Sequence, residues 1–394
     1  MLRQFLKSRI IFFVFIVGAI PALISAVVHP GSNEQVLVPS FVTLQVSLTQ
    51  YLGIVIFIVM AFLLVLDIQF SGFRVNILAF TFFPFLLILI VSSFRRDSYV
   101  LQTSFQVLFY FLVINSRDIS EWDLSRNIKN VARIVLIFEL YFILLGGSEY
   151  WQDCRLDKCL YSGQRIFVGQ FASGNGASVF FAVLVVVVVS LTRGKSQLFF
   201  GSIFTIFCFL GGGRNAMLGL SIFFLAYLIK SRAVNSIILT TAAVVGTLPL
   251  FVTFPDEFAT YRGYLWSQTR KAILDSGGYA PTITFREFVS NYLSIVPKGT
   301  EAPHNLWLGV WWDGGILGLL TFVPIFMLIL VKSQKISFFS LQPLLVFYFV
   351  VNATDPISSF THFDSFSWLL FIILISLFDR NKATNGVTSG ANSI

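Results

Sequence analysis

The sequence predicts an all-α polytopic membrane protein of about twelve transmembrane helices, a single integral membrane domain over residues 1–394 with two larger outer loops. Three observations carry this. Of the 394 residues, 56% are hydrophobic and 12% charged, against roughly 25% charged in soluble domains. The apolar surplus, 46 Phe included, is not gathered in one core-sized block. It recurs in runs of about 17–25 residues, the length that crosses a ~30 Å hydrocarbon layer. Lys and Arg sit in the short segments between runs, where they set orientation. Backbone in lipid has to satisfy its polar groups within each segment, so the runs are helices. The net charge of +8 therefore belongs to loops beside spans, and no nucleic-acid partner is expected.

Taken in order, Arg3, Lys7 and Arg9 precede an apolar run at about 10–28 and place the N-terminus inside. No small-residue cleavage site follows, so this run is expected to stay as a helix. Further spans are expected at about 45–66, 75–93, 98–115, 131–147, 172–192, 197–210, 215–229, 236–254, 305–331, 336–352 and 366–378. This alternation puts both termini on the cytoplasmic side, and its inner loops take the majority of the 27 Lys and Arg. The run at 197–210 is short for a span. The end of the chain, 380–394, is small and polar and reads as a disordered tail.

Two outer loops are long, and long loops in a compact chain are more often functional. The first, 148–171, holds Cys154 and Cys159 in CRLDKC. On an oxidising outer side this pair can form a disulfide; two free thiols are the alternative. Cys208 lies in a span and reads as a small core residue. The second loop, 255–303, carries Phe258, Tyr261, Leu265, Trp266, Ile273 and Leu274 mostly on one face at helical spacing. Aromatics among basic residues suit an interfacial helix; a packed loop helix without a ligand fits equally well.

The stretch with the most chemistry is PHNLWLGVWWDGGILGLL, Pro303–Leu320. His304 stands where the polar loop meets an apolar span, wet enough to titrate and fixed enough to aim. The bland alternative is a helix-start residue serving its own end. Asn305 beside it could orient a sugar or phosphate oxygen. Asp313 is about two and a half turns deeper and faces roughly the other side. Gly314, Gly315 and Gly318 permit close helix packing. The other two histidines, His29 and His362, also fall outside on this topology.

Outer arginines form the second constellation. Arg214 follows three glycines in GGGRNA, a turn expected to present backbone N–H groups to an anion. Arg165, Arg262, Arg270 and Arg286 lie in the two large loops, and a guanidinium fork matches phosphate oxygens. Ordinary loop salt bridges are the alternative for each. Glu139 sits inside a span, where a carboxylate is expensive and marks function or a partner on a neighbouring helix. No HExxH, CxxC pair, DxD, P-loop or dinucleotide-binding glycine motif occurs, so neither a metal nor a cofactor is expected.

These residues resemble the bacterial O-antigen ligase and polymerase superfamily. The run His304–Leu320 is similar to its most recognisable segment. GGGRNA at Gly211–Ala216 resembles its small-residue–Arg turn. Arg165, Gly169 and Asn175 resemble an Arg–Gly–Asn pattern leading into a span, and Arg262 with Trp266 an Arg-x3-Trp start to the large loop. The four segments occur in the family's order over Arg165–Leu320. The resemblance implies a GT-C-like fold and a metal-independent inverting glycosyltransferase without cofactors. It implies an inner (cytoplasmic) membrane location, two periplasmic loops and an active site facing the periplasm. The donor would be a glycan on undecaprenyl diphosphate, with a chain-length regulator protein as a possible partner. His304 would be the base. Arg214, Arg262 and, more weakly, Arg165 would hold the diphosphate, with Asn305, Trp266 and Arg270 nearby in the substrate site. A polymerase adds the glycan to another lipid-linked repeat unit, a ligase to lipid A–core. The ligase pattern H-N-x9-G-x2-G-T-x2-G fits His304, Asn305, Gly315 and Gly318 but departs at Leu319 and Phe322. Arg165 to Gly176 has the Arg-x10-Gly spacing of polymerases. Both favour polymerase.

Overall fold

The computed structural model describes residues 124–144, 147–154, 163–169, 171, 174–229, 231–255, 261–296, 300, 302–335 and 341–353, with isolated positions in 55–65 and 90–91. Apart from those isolated positions, the spans expected before residue 124 lie outside the described residues, as do the span at 366–378, the tail at 380–394, His29, His362 and Cys159.

The described chain is mostly helical. Three helices, Gly174–Leu191, Ala233–Phe251 and Leu306–Pro324, are long and apolar enough to cross a membrane, and Lys195–Leu210, Arg214–Ile229 and Gln342–Asn352 are shorter apolar helices. They fall on six of the expected spans, and they are compatible with a helical membrane protein. The expected span at 131–147 differs. Its helix, α1, runs Leu124–Leu144 and is not among those six, because Lys129, Arg133 and Glu139 together interrupt its apolar run.

The described residues divide between two compact units, with the break inside one helix after Leu225. The first unit holds α1, a short 3-10 turn at Gly147–Tyr150, strands β1 (Trp151–Asp153) and β2 (Arg165–Phe167), then α2 (Gly174–Leu191), α3 (Lys195–Leu210) and the start of α4 (Arg214–Ile229). Helix α2 is valine-rich. β-Branched residues are indifferent helix formers in water, yet fifteen of its 18 residues are buried, and backbone cut off from water has little alternative to a helix. It packs most extensively on α3 and also on α1. The turn between α2 and α3 is closed by Thr192, whose hydroxyl donates to the Val188 carbonyl (2.8 Å), and by Gln197 donating to Val189 (2.8 Å).

The strands correct the all-α expectation. They pair antiparallel with Trp151 opposite Phe167 and Asp153 opposite Arg165. Three-residue strands leave no periodicity in a sequence, so the loop hid them. Phe167 is fully buried; its ring lies 5.3 Å from Trp151, 6.4 Å from Phe181 of α2 and 6.2 Å from Phe207 of α3. It thereby pins the hairpin to the helices. Cys154, at the end of β1, is disulfide-bonded, and its N–H donates to the Gln164 carbonyl (3.0 Å). Cys208 is free and buried.

The second unit holds the end of α4, then α5 (Arg232–Phe251), α6 (Arg262–Asp275), α7 (Phe285–Tyr292), α8 (Leu306–Lys335) and α9 (Leu341–Asn352). Helix α5 packs on α8 and α9, and α6 packs on α8. The large loop is thus ordered by two helices. On α6, Leu265, Trp266 and Ile273 are buried against protein, while Leu274 of the expected face stays exposed. Helix α7 opens with a capping box. The Thr284 hydroxyl accepts from the Glu287 N–H, and the Glu287 carboxylate accepts from the Thr284 N–H. Those hydrogen bonds hold the Glu287 carboxyl below its usual value. Phe285 and Phe288 of α7 each lie 4.9 Å from the Trp312 ring of α8.

Candidate functional site

In the second unit the head of α8 is built around Asn305. Its side chain is fully buried. Its Nδ2 donates to the Gly246 carbonyl (2.9 Å) and to the Ala353 carbonyl (3.0 Å), and its Oδ1 accepts the Leu308 N–H (3.1 Å). One amide therefore caps the start of α8, meets the carbonyl just beyond the end of α9, and reaches into α5. The α5 carbonyl is accessible for a sequence reason. Gly246 has no side chain to screen it, so the Asn305 amide can approach. Both amide hydrogens are spent on protein, so this geometry gives Asn305 the work of holding three helix segments rather than of touching a sugar or phosphate.

His304 precedes this clamp with φ +55°, and among the described residues it is the one non-glycine with positive φ. Left-handed backbone costs roughly 1–2 kcal/mol for a residue with a Cβ. Such strain persists only where the surroundings impose it, and it gathers at functional sites. Two constraints flank His304. Asn305 is fixed on one side. On the other, the Trp266 indole N–H donates to the Pro303 carbonyl (2.9 Å), and the Trp266 ring is itself packed on Phe254 at 5.4 Å. The half-buried imidazole meets Tyr261 edge-on, ring centres 6.1 Å apart. Tyr261 directly precedes Arg262, the first residue of α6. The structure thus brings His304, Trp266 and the Arg262 end of α6 together. Arg270, two turns along α6, donates to the Thr253 hydroxyl at 2.6 Å, which ties α6 to the segment leaving α5.

Helix α8 is interrupted at Gly315 (φ 61°, ψ −166°). A Cβ there would lie 2.8 Å from the Ala280 nitrogen, so only glycine fits. The Ile316 N–H donates to the Gly278 carbonyl (2.9 Å), and the same carbonyl accepts the Trp311 indole N–H (3.2 Å). Irregular backbone inside an apolar helix is tolerated where protein satisfies it, and here the loop after α6 does so. The glycines read as packing residues therefore have a sharper role at this one position.

The first unit gathers the other sequence candidates. The GGGR turn is pressed against the start of α2. A Cβ on Gly211 or Gly213 would strike Ser178, and one on Gly174 would strike the Gly211 carbonyl. The Ser178 hydroxyl accepts the Gly213 N–H (2.7 Å) and donates to the Cys208 carbonyl (2.8 Å). The glycines are thus explained by close approach, and the Gly213 N–H expected to face an anion is taken by Ser178. Arg214 follows with an exposed side chain at the start of α4. Arg165 lies on the hairpin. Its Nη2 donates to the Ser148 and Trp151 carbonyls, both at 3.2 Å, and its Nε is 3.5 Å from Asp153. Glu139 is fully buried and lies against Gly169, where a Cβ would come within 2.9 Å of its carboxylate.

No family model, curated protein or solved structure matches this chain.

The residues that sequence reasoning missed as site builders are Tyr261, Gly246 and Gly278. Tyr261 was visible as part of an aromatic face. Gly246 and Gly278 act through backbone carbonyls, which no residue type advertises. Among the described residues, no three His, Cys, Asp or Glu side chains gather as metal ligands would.

Proposed function

We propose that this chain joins undecaprenyl-diphosphate-linked oligosaccharide repeat units into O-antigen or a related surface polysaccharide, at the periplasmic face of the bacterial inner membrane. It would do so as a metal-independent inverting glycosyltransferase with about twelve spans, a GT-C-like fold and both termini cytoplasmic. The observation that supports this best is His304. It is a half-buried imidazole held in a left-handed conformation between a buried Asn305 clamp and the Trp266–Pro303 hydrogen bond, beside the Arg262 end of α6.

In the proposed reaction the acceptor hydroxyl oxygen attacks the anomeric carbon of the donor from the face opposite the diphosphate. The C–O bond to the diphosphate breaks, and undecaprenyl diphosphate leaves with the electron pair. His304 accepts the hydroxyl proton. Arg262 meets the charge developing on the diphosphate; removing one such preorganised donor costs on the order of 10²–10³ in rate elsewhere. The resemblance gives Arg214 the same role. It gives Arg165 that role too, but Arg165 is engaged in the hairpin, and we place the weight on Arg262. Trp266 and Arg270 support the site through Pro303 and Thr253.

The second reading is a ligase that transfers the glycan to lipid A–core. Where the ligase pattern has its last glycine, this chain has Phe322, buried and 5.5 Å from the Trp307 ring. That departure favours polymerase. The test is the surface polysaccharide of a strain carrying His304→Ala. Loss of the long-chain ladder with single repeat units left on the core is expected. A ladder that persists at normal protein level removes the assignment, and bare lipid A–core selects the ligase.

A further inference from the structure

The first turns of α1 carry a feature that the proposed reaction does not use. A cavity of about 390 Å³ is lined by Ser125, Arg126, Lys129, Asn130 and Arg133. Among the described residues this lining is three cations, a hydroxyl and an amide. At 3.6 residues per turn these positions form one stripe. The same stripe continues along the helix as Ile137, Leu140, Tyr141 and Leu144, all exposed, with Ile137 and Leu144 at 67% and 72%. The opposite face, with Ile128, Val131, Ala132, Val135 and Phe142, is fully buried in protein. From Arg133 to Leu144 the rise is about 16 Å, close to half of a ~30 Å hydrocarbon layer.

We propose that this stripe binds an anionic glycerophospholipid, its phosphate in the basic cavity and its acyl chains along Ile137–Leu144. The inference is independent of the glycosyltransferase reading and rests only on a helical membrane protein. The chemistry of the stripe favours a lipid over a free anion, because the cation cluster runs without a break into an exposed apolar strip one leaflet long. Arginine forks and a lysine ammonium match a phosphate diester, and basic pockets between membrane helices hold acidic headgroups by this pairing. The acyl contact alone would not discriminate between lipids. The cavity supplies the selection.

The test uses the full chain purified in mild detergent and titrated with phosphatidylglycerol or phosphatidylcholine of matched chains, read by native mass spectrometry. Wild-type protein is expected to retain phosphatidylglycerol roughly ten- to a hundredfold better. Arg126→Gln/Lys129→Gln/Arg133→Gln should reduce that preference to near unity. Lys129→Gln alone should lower it several-fold, which keeps the test decisive where the triple variant does not fold. Arg193→Gln/Lys195→Gln, at the exposed turn between α2 and α3, should leave the preference intact. Equal retention of the two lipids by wild type overturns the proposal. So does equal loss from the Arg193/Lys195 variant, which would mean general charge attraction. Displacement of the lipid by excess inorganic phosphate overturns the lipid assignment in favour of a free-anion site. Loss of retention on Ile137→Ser with the headgroup preference preserved supports the acyl strip.

Discussion

Replacing Asn305 by alanine should unfold the second unit at a much lower temperature. The side chain makes three hydrogen bonds, two to the Gly246 and Ala353 carbonyls and one from the Leu308 N–H. Leaving a buried polar group unpaired costs about 1–3 kcal/mol each, and losing a helix N-cap costs about 1 kcal/mol. Because the three share one side chain they will not add fully, and a loss of about 3–5 kcal/mol is expected. That is a large share of the roughly 5–15 kcal/mol by which domains are stable, and it should lower the midpoint by on the order of 10 °C. Asn305→Asp tests the geometry more sharply. It keeps the acceptor for Leu308 but turns a carboxylate towards two carbonyl oxygens, so it should be at least as damaging as alanine. Asn305→Ser keeps a cap and should fall between alanine and wild type. Thermal unfolding of the purified protein in detergent reads all three. An aspartate variant as stable as wild type would refute the hydrogen-bond assignment, and an alanine variant with an unchanged midpoint would refute the clamp.

Two further outcomes follow from local geometry. His304→Gly should be roughly 1 kcal/mol more stable than His304→Ala, since glycine adopts φ +55° without the Cβ penalty, while both lose polysaccharide assembly; a glycine variant less stable than the alanine one would contradict the strain. Thr284→Ala should cost about 1 kcal/mol of capping and speed amide exchange over Phe285–Tyr292. The Glu287 carboxyl is lowered from 4.5 by its Thr284 hydrogen bonds. Its contribution is therefore fully present above 4.5 and is lost as pH falls through the lowered folded value. Protection factors over α7, with the intrinsic pH dependence of amide exchange divided out, that do not fall on acidification would contradict this.

What the sequence disclosed depended on how local the cause was. Helices α2, α5 and α8 were legible because their apolar length is written in consecutive residues. The start of α1 was placed about seven residues late, since its basic first turns do not look like a span. The hairpin was hidden by strands of three residues. At the site, His304 stood out by residue type and position, and the aromatic face of α6 by its spacing. Asn305 was legible as important but not in its role, because its partners are backbone carbonyls 59 and 48 residues away. The glycines of the GGGR turn are accounted for by Ser178 on a different helix, a close approach that the residue types alone did not announce.

The central claim is that His304 serves a transfer from a diphosphate-linked glycan without a metal. The most direct measurement is product length when purified protein is given undecaprenyl-diphosphate-linked repeat units in detergent with a metal chelator. Wild type should yield products of two or more repeat units and release undecaprenyl diphosphate one for one with each bond formed. His304→Ala, folded to the same midpoint, should yield neither. Elongation by the His304→Ala protein at the wild-type rate, or elongation only when a divalent metal is restored, would contradict the account.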